Sequence, residues 1–269
     1  MLMTDIAGNA VLIAAGGRSI LLQLADPAIG HGVADHSDFA RRPQDRLNNT
    51  LSFVYAIVFG TPAEAAFAAR RVNHAHVPVR SEGSPTTPSY SAFSPTLQLW
   101  VVATLYDSAT AMHELVYGPL DDDLADEFYE AYRKIGAALQ VPAELWPADR
   151  AAFRVYWDRC LSELTTDATT RAVAHELLHA RTGPAWMRAG LPLGRLMTAG
   201  LLPAAVRDMF GIQWSAKRQR RFDRLLHIIR VVYPPLPRTI RQWPKNHYLR
   251  ALRASLRTQA EAVSVGSSR

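Results

Sequence analysis

Apolar residues in this chain recur at three- and four-residue spacing, in runs cut by Pro and Gly, and strand signals are scarce. That pattern predicts an all-α protein. The clearest helix start is Thr61-Pro62-Ala63-Glu64. There the threonine is placed to cap, the proline fits the first helical position and the glutamate completes a capping box. Pro78 limits the other end of that helix. The same reasoning predicts helices over about Asn9 to Ala25, Gln44 to Phe59 and Pro95 to Tyr117. Others are expected near Asp122 to Leu139, Ala148 to Leu164, Thr169 to Ala180, Pro203 to Met209, Ser215 to Val232 and Asn246 to Ala262. The stretch SEGSPTTPSYSAFSP reads as a long loop and YPPLP as a rigid connector.

No linker is long or polar enough to divide the 269 residues, so one helical domain over 1–263 is expected, with a disordered polar tail at 264–269. At 48% hydrophobic and 20% charged the chain can bury a sizeable core. One cysteine, Cys160, excludes an internal disulfide framework and fits a reducing, cytoplasmic setting. The apolar N-terminal run lacks a basic leader and is interrupted by Arg18, so neither a signal peptide nor a spanning helix is read there. Twelve Lys/Arg against Asp223 alone put +11 on residues 217–257, leaving −5 elsewhere in a chain of net charge +6. Such a region suits solvated helix faces or an anionic partner, including peripheral contact with a membrane. No nucleic-acid motif accompanies it, and no nucleic-acid partner is predicted.

His175-Glu176-Leu177-Leu178-His179 spells the H-E-x-x-H of a zinc hydrolase. On a helix, however, Val173, Ala174, Leu177 and Leu178 form the apolar stripe, and both histidines fall near the opposite side. The third ligand of the longer motif would stand at 185, which is Ala185. Zinc hydrolysis is therefore the least favoured reading.

A second histidine faces inward. Ala65, Ala69, Val72 and His76 share one face of the capped helix, while His74 and Phe67 point away from it. Small side chains leave room for a flat group, and a neutral imidazole can ligate its iron; a core histidine bonded to a carbonyl fits the same geometry. On the preceding helix Arg46, Asn49, Thr50, Phe53 and Ile57 share a face that runs from polar to apolar. Arg46 suits a buried carboxylate, and Asn49 and Thr50 can hydrogen-bond a ligand; a solvated helix start is the alternative.

Several pieces combine into a resemblance. They are LLQLADP, D-H-S-x-F at Asp35 to Phe39, Arg46-Leu47-x-x-Thr50, V-F-G-T at Val58 to Thr61 and R-V-x-x-x-H ending at His76. YSAFSPTLQLWVVATLYDS, GLLP near Leu201 and LP-x-x-x-R near Leu236 extend it. Together the chain resembles the DUF2236 family of haem-dependent oxygenases, which includes latex-clearing rubber oxygenases and the fungal mycophenolate-pathway oxygenase. The resemblance implies a multi-helix orthogonal bundle with a globin-like core and one haem b. His76 would be the proximal iron ligand, Ala69 and Val72 would lie against the cofactor, and Arg46 and Thr50 would stand on the distal side with Asn49. Asp35 and His36 are possible proton-transfer groups. The implied activity is oxidative cleavage of a carbon–carbon double bond in an apolar, isoprenoid-like substrate by O2. Two departures are notable: Asn49 stands where rubber oxygenases carry lysine, and Val102 where many relatives carry histidine. A haem protein without oxygenase activity, a sensor or carrier, is the runner-up.

Overall fold

The computed structural model describes residues 2–36, 43–180 and 185–266. It is an all-α single domain, 75% helical, with one two-stranded sheet. The helices run α1 (Met3–Ala7), a 3-10 turn (Ala10–Ala15), α2 (Gly16–Leu24), α3 (Pro27–His36), α4 (Pro43–Phe59), α5 (Pro62–His76), α6 (Pro95–Tyr117) and α7 (Asp122–Ala138). Then come α8 (Arg150–Glu163), α9 (Ala168–Leu178), α10 (Ala185–Leu201), α11 (Ala204–Met209), α12 (Ala216–Val232), α13 (Arg238–Arg241) and α14 (Trp243–Gly266). Between α5 and α6, β1 (Arg80–Ser81) pairs antiparallel with β2 (Tyr90–Ser91).

Helix α6 is the central post. It buries residues along its whole length, from Leu99 and Trp100 through Val102 and Tyr106 to Val116, and α2 packs along it. The main core fills the space with Leu21, Leu22, Phe53, Phe67, Phe128, Ile135, Phe153 and Trp157. A smaller cluster joins Val11, Met112, Met197, Phe222 and Leu226 where α10 and α12 close the other end. One charge crosses this interior. Arg18 donates to Asp107 Oδ2 (3.0 Å), Ser108 Oγ (2.8 Å) and the Leu201 carbonyl (2.9 Å), so the residue that breaks the N-terminal apolar run ties α2 to α6 and α10.

Local chemistry sets the helix that matters most for the site. Thr61 Oγ1 accepts from the Glu64 backbone N–H (3.3 Å) while the Glu64 carboxylate accepts from the Thr61 N–H (2.9 Å), with Pro62 at the first turn. This is the expected capping box. Glu64 also receives Arg253 of α14 at 2.7 Å, so one carboxylate caps α5 and anchors the C-terminal helix.

Five expectations need correction. The helix expected from Asn9 to Ala25 is a 3-10 turn followed by α2, broken at Gly16-Gly17. Residues 27–36 are helical although Gly30 and Gly32 lie inside them; a Cβ at Gly30 would strike Thr170, so this glycine lets α3 press against α9. Helix α10 was not among the expected helices, and Pro192 sits inside it. The expected loop folds back as the β1–β2 hairpin, closed by a Ser84–Thr87 bridge. Helix α14 continues to Gly266, so of the expected tail only residues 267–269 lie outside the described residues.

Candidate functional site

The site is built on α4 and α5, which pack side by side as their shared Gly60-Thr61 turn dictates. On α5, Ala65, Ala69, Val72 and His76 are all half-buried, the face the spacing predicts, while Phe67 and Ala68 enter the core on another side. Ala69 and Val72 pack against the edge of the main core. His76 closes this stripe at the last residue of the helix. Its Nδ1 is buried and has no hydrogen-bond partner. One turn earlier Asn73 Oδ1 is in the same condition. Two unpaired buried polar atoms on neighbouring positions are costly unless another group meets them.

Electrostatics fix the state of this imidazole. Burial, and then the charge of Arg46, hold the His76 pKa below its ordinary value. The ring is therefore neutral at physiological pH, the form that can ligate a metal. Arg46 is thus brought near His76 across the α4–α5 pair. It keeps accessible surface, yet burial lowers its own pKa. Asn49 and Thr50, on the same helix, also keep exposed surface. Asn48 does not share their direction; its Oδ1 accepts from the Tyr248 hydroxyl of α14 at 2.7 Å.

The hairpin supplies residues that sequence reasoning missed. Phe93 meets the His76 ring edge-on, with ring centres 6.4 Å apart. Tyr90 is buried and donates its hydroxyl to Asp35 Oδ2 at 2.7 Å, and His36 Nε2 lies 3.1 Å from the same hydroxyl. Burial first, and the Asp35 contact second, push the Tyr90 pKa up to about 12, so it remains a donor. The two motifs D-H-S-x-F and YSAFSP thus meet in space; Ser37 to Phe39 lie outside the described residues. The signal was present, since both motifs had been singled out, but their meeting depends on the hairpin folding back.

Other candidates fall apart. Val102 is fully buried in the packed core. His175, Glu176 and His179 stand exposed on α9, the two rings stacked 4.2 Å apart, while Ala174 is buried. Among the described residues no three His, Cys, Asp or Glu side chains gather to hold a metal ion. An iron at His76 would therefore need a macrocycle to supply its remaining ligands. On the other face of α5 a cavity of about 350 Å³, lined by Phe67, Arg70, Arg71, His74 and Gln259, includes neither His76 nor Arg46, Asn49 or Thr50. His113, a second buried imidazole with an unpaired Nδ1, stacks on Tyr117 beside the smaller core cluster.

The family described as "ER-bound oxygenase mpaB/B'/Rubber oxygenase, catalytic domain" matches residues 4–231. The chain is similar to uncharacterized proteins of Mycobacterium bovis and Mycobacterium tuberculosis. Each is 37% identical over 224 residues, covering 81% of this chain and 88% of the relative. No solved structure matches it.

Proposed function

The chain belongs to the mpaB/rubber oxygenase catalytic-domain family, and on that premise we propose that it is a haem b-dependent oxygenase of an apolar, isoprenoid-like substrate. The observation that carries the reading is the His76 imidazole: neutral, with an unpaired buried ring nitrogen, at the end of a small-residue stripe and facing the charge of Arg46.

A haem with one protein ligand would supply an iron position where O2 is bound and activated for cleavage of a carbon–carbon double bond. The protein's own residues would do the rest. His76 would hold the iron from α5, with Ala69 and Val72 against the flat face of the cofactor. Arg46, a guanidinium that stays charged, would neutralise a propionate or orient a bound anion. Asn49 would offer an amide and Thr50 a hydroxyl as donors, where related rubber oxygenases offer a lysine. Half-buried Ile57, one turn beyond the buried Phe53, would exclude water and seat an apolar substrate.

The test is an absorption spectrum of the haem-supplemented protein beside His76→Ala, with metal analysis of both. A Soret band that is lost or shifted in the variant is expected. A featureless spectrum from the wild-type protein, or an unchanged band in His76→Ala, would overturn the assignment. Oxygen uptake with a panel of unsaturated apolar compounds then separates an oxygenase from a haem carrier.

A further inference from the structure

Five large apolar side chains stand out in solvent between residues 228 and 243: Ile228 (50% exposed), Val231 (60%), Val232 (54%), Ile240 (55%) and Trp243 (57%). Helical rotation places Lys217, Arg221, Arg224, Ile228, Val231 and Val232 on one face of α12. Phe222 and Leu226, on the other side, are buried. The exposed face is therefore cationic along its first half and apolar along its second. At its apolar end the chain turns through Tyr233 to Pro237, and the Tyr233 hydroxyl donates to the Arg241 carbonyl (3.4 Å). That contact holds α13, with Ile240, beside the end of α12, and Trp243 follows directly at the start of α14.

Five large exposed apolar side chains gathered on successive elements signal something that covers them. We propose that the α12–α13 face docks on an anionic lipid surface, with Ile228, Val231, Val232, Ile240 and Trp243 entering the headgroup layer and Lys217, Arg221 and Arg224 over the anionic headgroups. The composition argues for lipid in both halves: branched aliphatics and a tryptophan suit the interface, and a flanking row of Lys and Arg suits its charge. A second copy of the chain is a poorer occupant. Pairing the apolar halves of two copies would leave the cationic row without a counter-charge, in a region carrying +11. A nucleic acid would leave the aliphatic half uncovered. The contact is interfacial, since among the described residues no helix is long and apolar enough to cross a membrane.

Vesicle flotation of the full chain tests this, using phosphatidylcholine alone and phosphatidylcholine with about a third phosphatidylglycerol. The protein should float with the anionic vesicles only. The pair Val231→Ser and Trp243→Ser should lower partition about tenfold at unchanged charge. Arg221→Gln and Arg224→Gln should each lower it about fivefold. All four side chains are exposed, and a helical circular-dichroism spectrum checks that the fold is kept. No flotation with anionic vesicles, or variants that float like wild type, overturns the proposal. So does a wild-type dimer on size exclusion that Val231→Ser and Trp243→Ser turn into monomer without changing flotation, which would assign the face to a second copy. The Soret band of the same samples reports on His76 separately, so failure here and failure of the haem assignment are distinguishable.

Discussion

Replacing Arg18 by methionine should be among the most damaging single changes in the molecule. Its side chain is 7% exposed, that of Asp107 20%, and the pair meets at 3.0 Å. Removing the guanidinium strands the Asp107 carboxylate in the interior and takes a donor from Ser108 and from the Leu201 carbonyl. Breaking one side of such a pair costs about 3–5 kcal/mol, a large share of the roughly 5–15 kcal/mol that holds a domain folded. Converting both partners, Arg18→Met with Asp107→Leu, removes the stranded charge and should recover at least half of that loss. The acid also makes a pH prediction. Burial raises the Asp107 pKa above its ordinary value even with Arg18 beside it. A raised folded pKa in an acid means that protonation favours the folded state. The penalty of Arg18→Met should therefore shrink as pH falls through the raised folded pKa toward the ordinary range near 4. Urea unfolding followed by helical circular dichroism at pH 7 and pH 5 measures all of this. A loss under about 1 kcal/mol for Arg18→Met, or a double variant whose loss equals the sum of the singles, would refute the reasoning.

Two further predictions concern helix α5 and the glycines. Glu64→Gln keeps the capping box but loses the Arg253 ion pair; because Arg253 is half exposed, the cost should be about 1 kcal/mol at pH 7. Arg253 holds the Glu64 pKa below its ordinary value, so this stability is present above the unfolded carboxylate pKa and lost as pH falls through the folded one. Urea midpoints of wild type and variant should therefore converge in strong acid, and a gap that persists there sinks the assignment. Gly200→Ala and Gly136→Ala should act with opposite sign. A Cβ on Gly200 would run into the buried Phe222 ring, costing about 1–3 kcal/mol. At Gly136 the nearest atom is Trp146 Cε3 at 3.6 Å, and an alanine should stabilise α7 by about 0.5–1 kcal/mol. Thermal melts of the two variants on the same side of wild type would contradict this.

Elements fixed by local chemistry were legible. Helix α5 begins at a capping box and ends before a proline, α6 begins at Ser94-Pro95 and ends at Gly118, and both lie where the residues put them. What escaped was structure decided at a distance. Helix α10 is packed against α2 and α12, and Gly30 gives α9 the room that a Cβ would fill. The same division runs through the site. The inward face of α5 and the polar start of α4 are periodicities and can be read from one strand of text. Phe93 against His76, and Tyr90 between Asp35 and His36, exist only after the hairpin has turned back over the end of α5. Nor does spacing alone show that Asn73 shares the unpaired condition of His76.

Helix α14 links the two halves of this account. It lies beyond residues 4–231, the part that matches the family, yet it covers both helices of the candidate site. Tyr248 reaches Asn48, Arg253 reaches Glu64, and Lys245 sits 4.9 Å from the centre of the Phe59 ring. Leu249 and Leu252 are buried beside these contacts. The relative setting of α4, with Arg46, Asn49 and Thr50, and of α5, with His76, therefore depends on a segment outside the family-matched residues. That segment starts at Trp243, in the exposed apolar face of α12 and α13. A single helix thus runs from the surface proposed to meet lipid to the two helices proposed to hold haem. On both proposals an apolar substrate dissolved in a bilayer would meet the protein on the side where this helix begins, and flotation and oxygen uptake measured on the same variants test the two together.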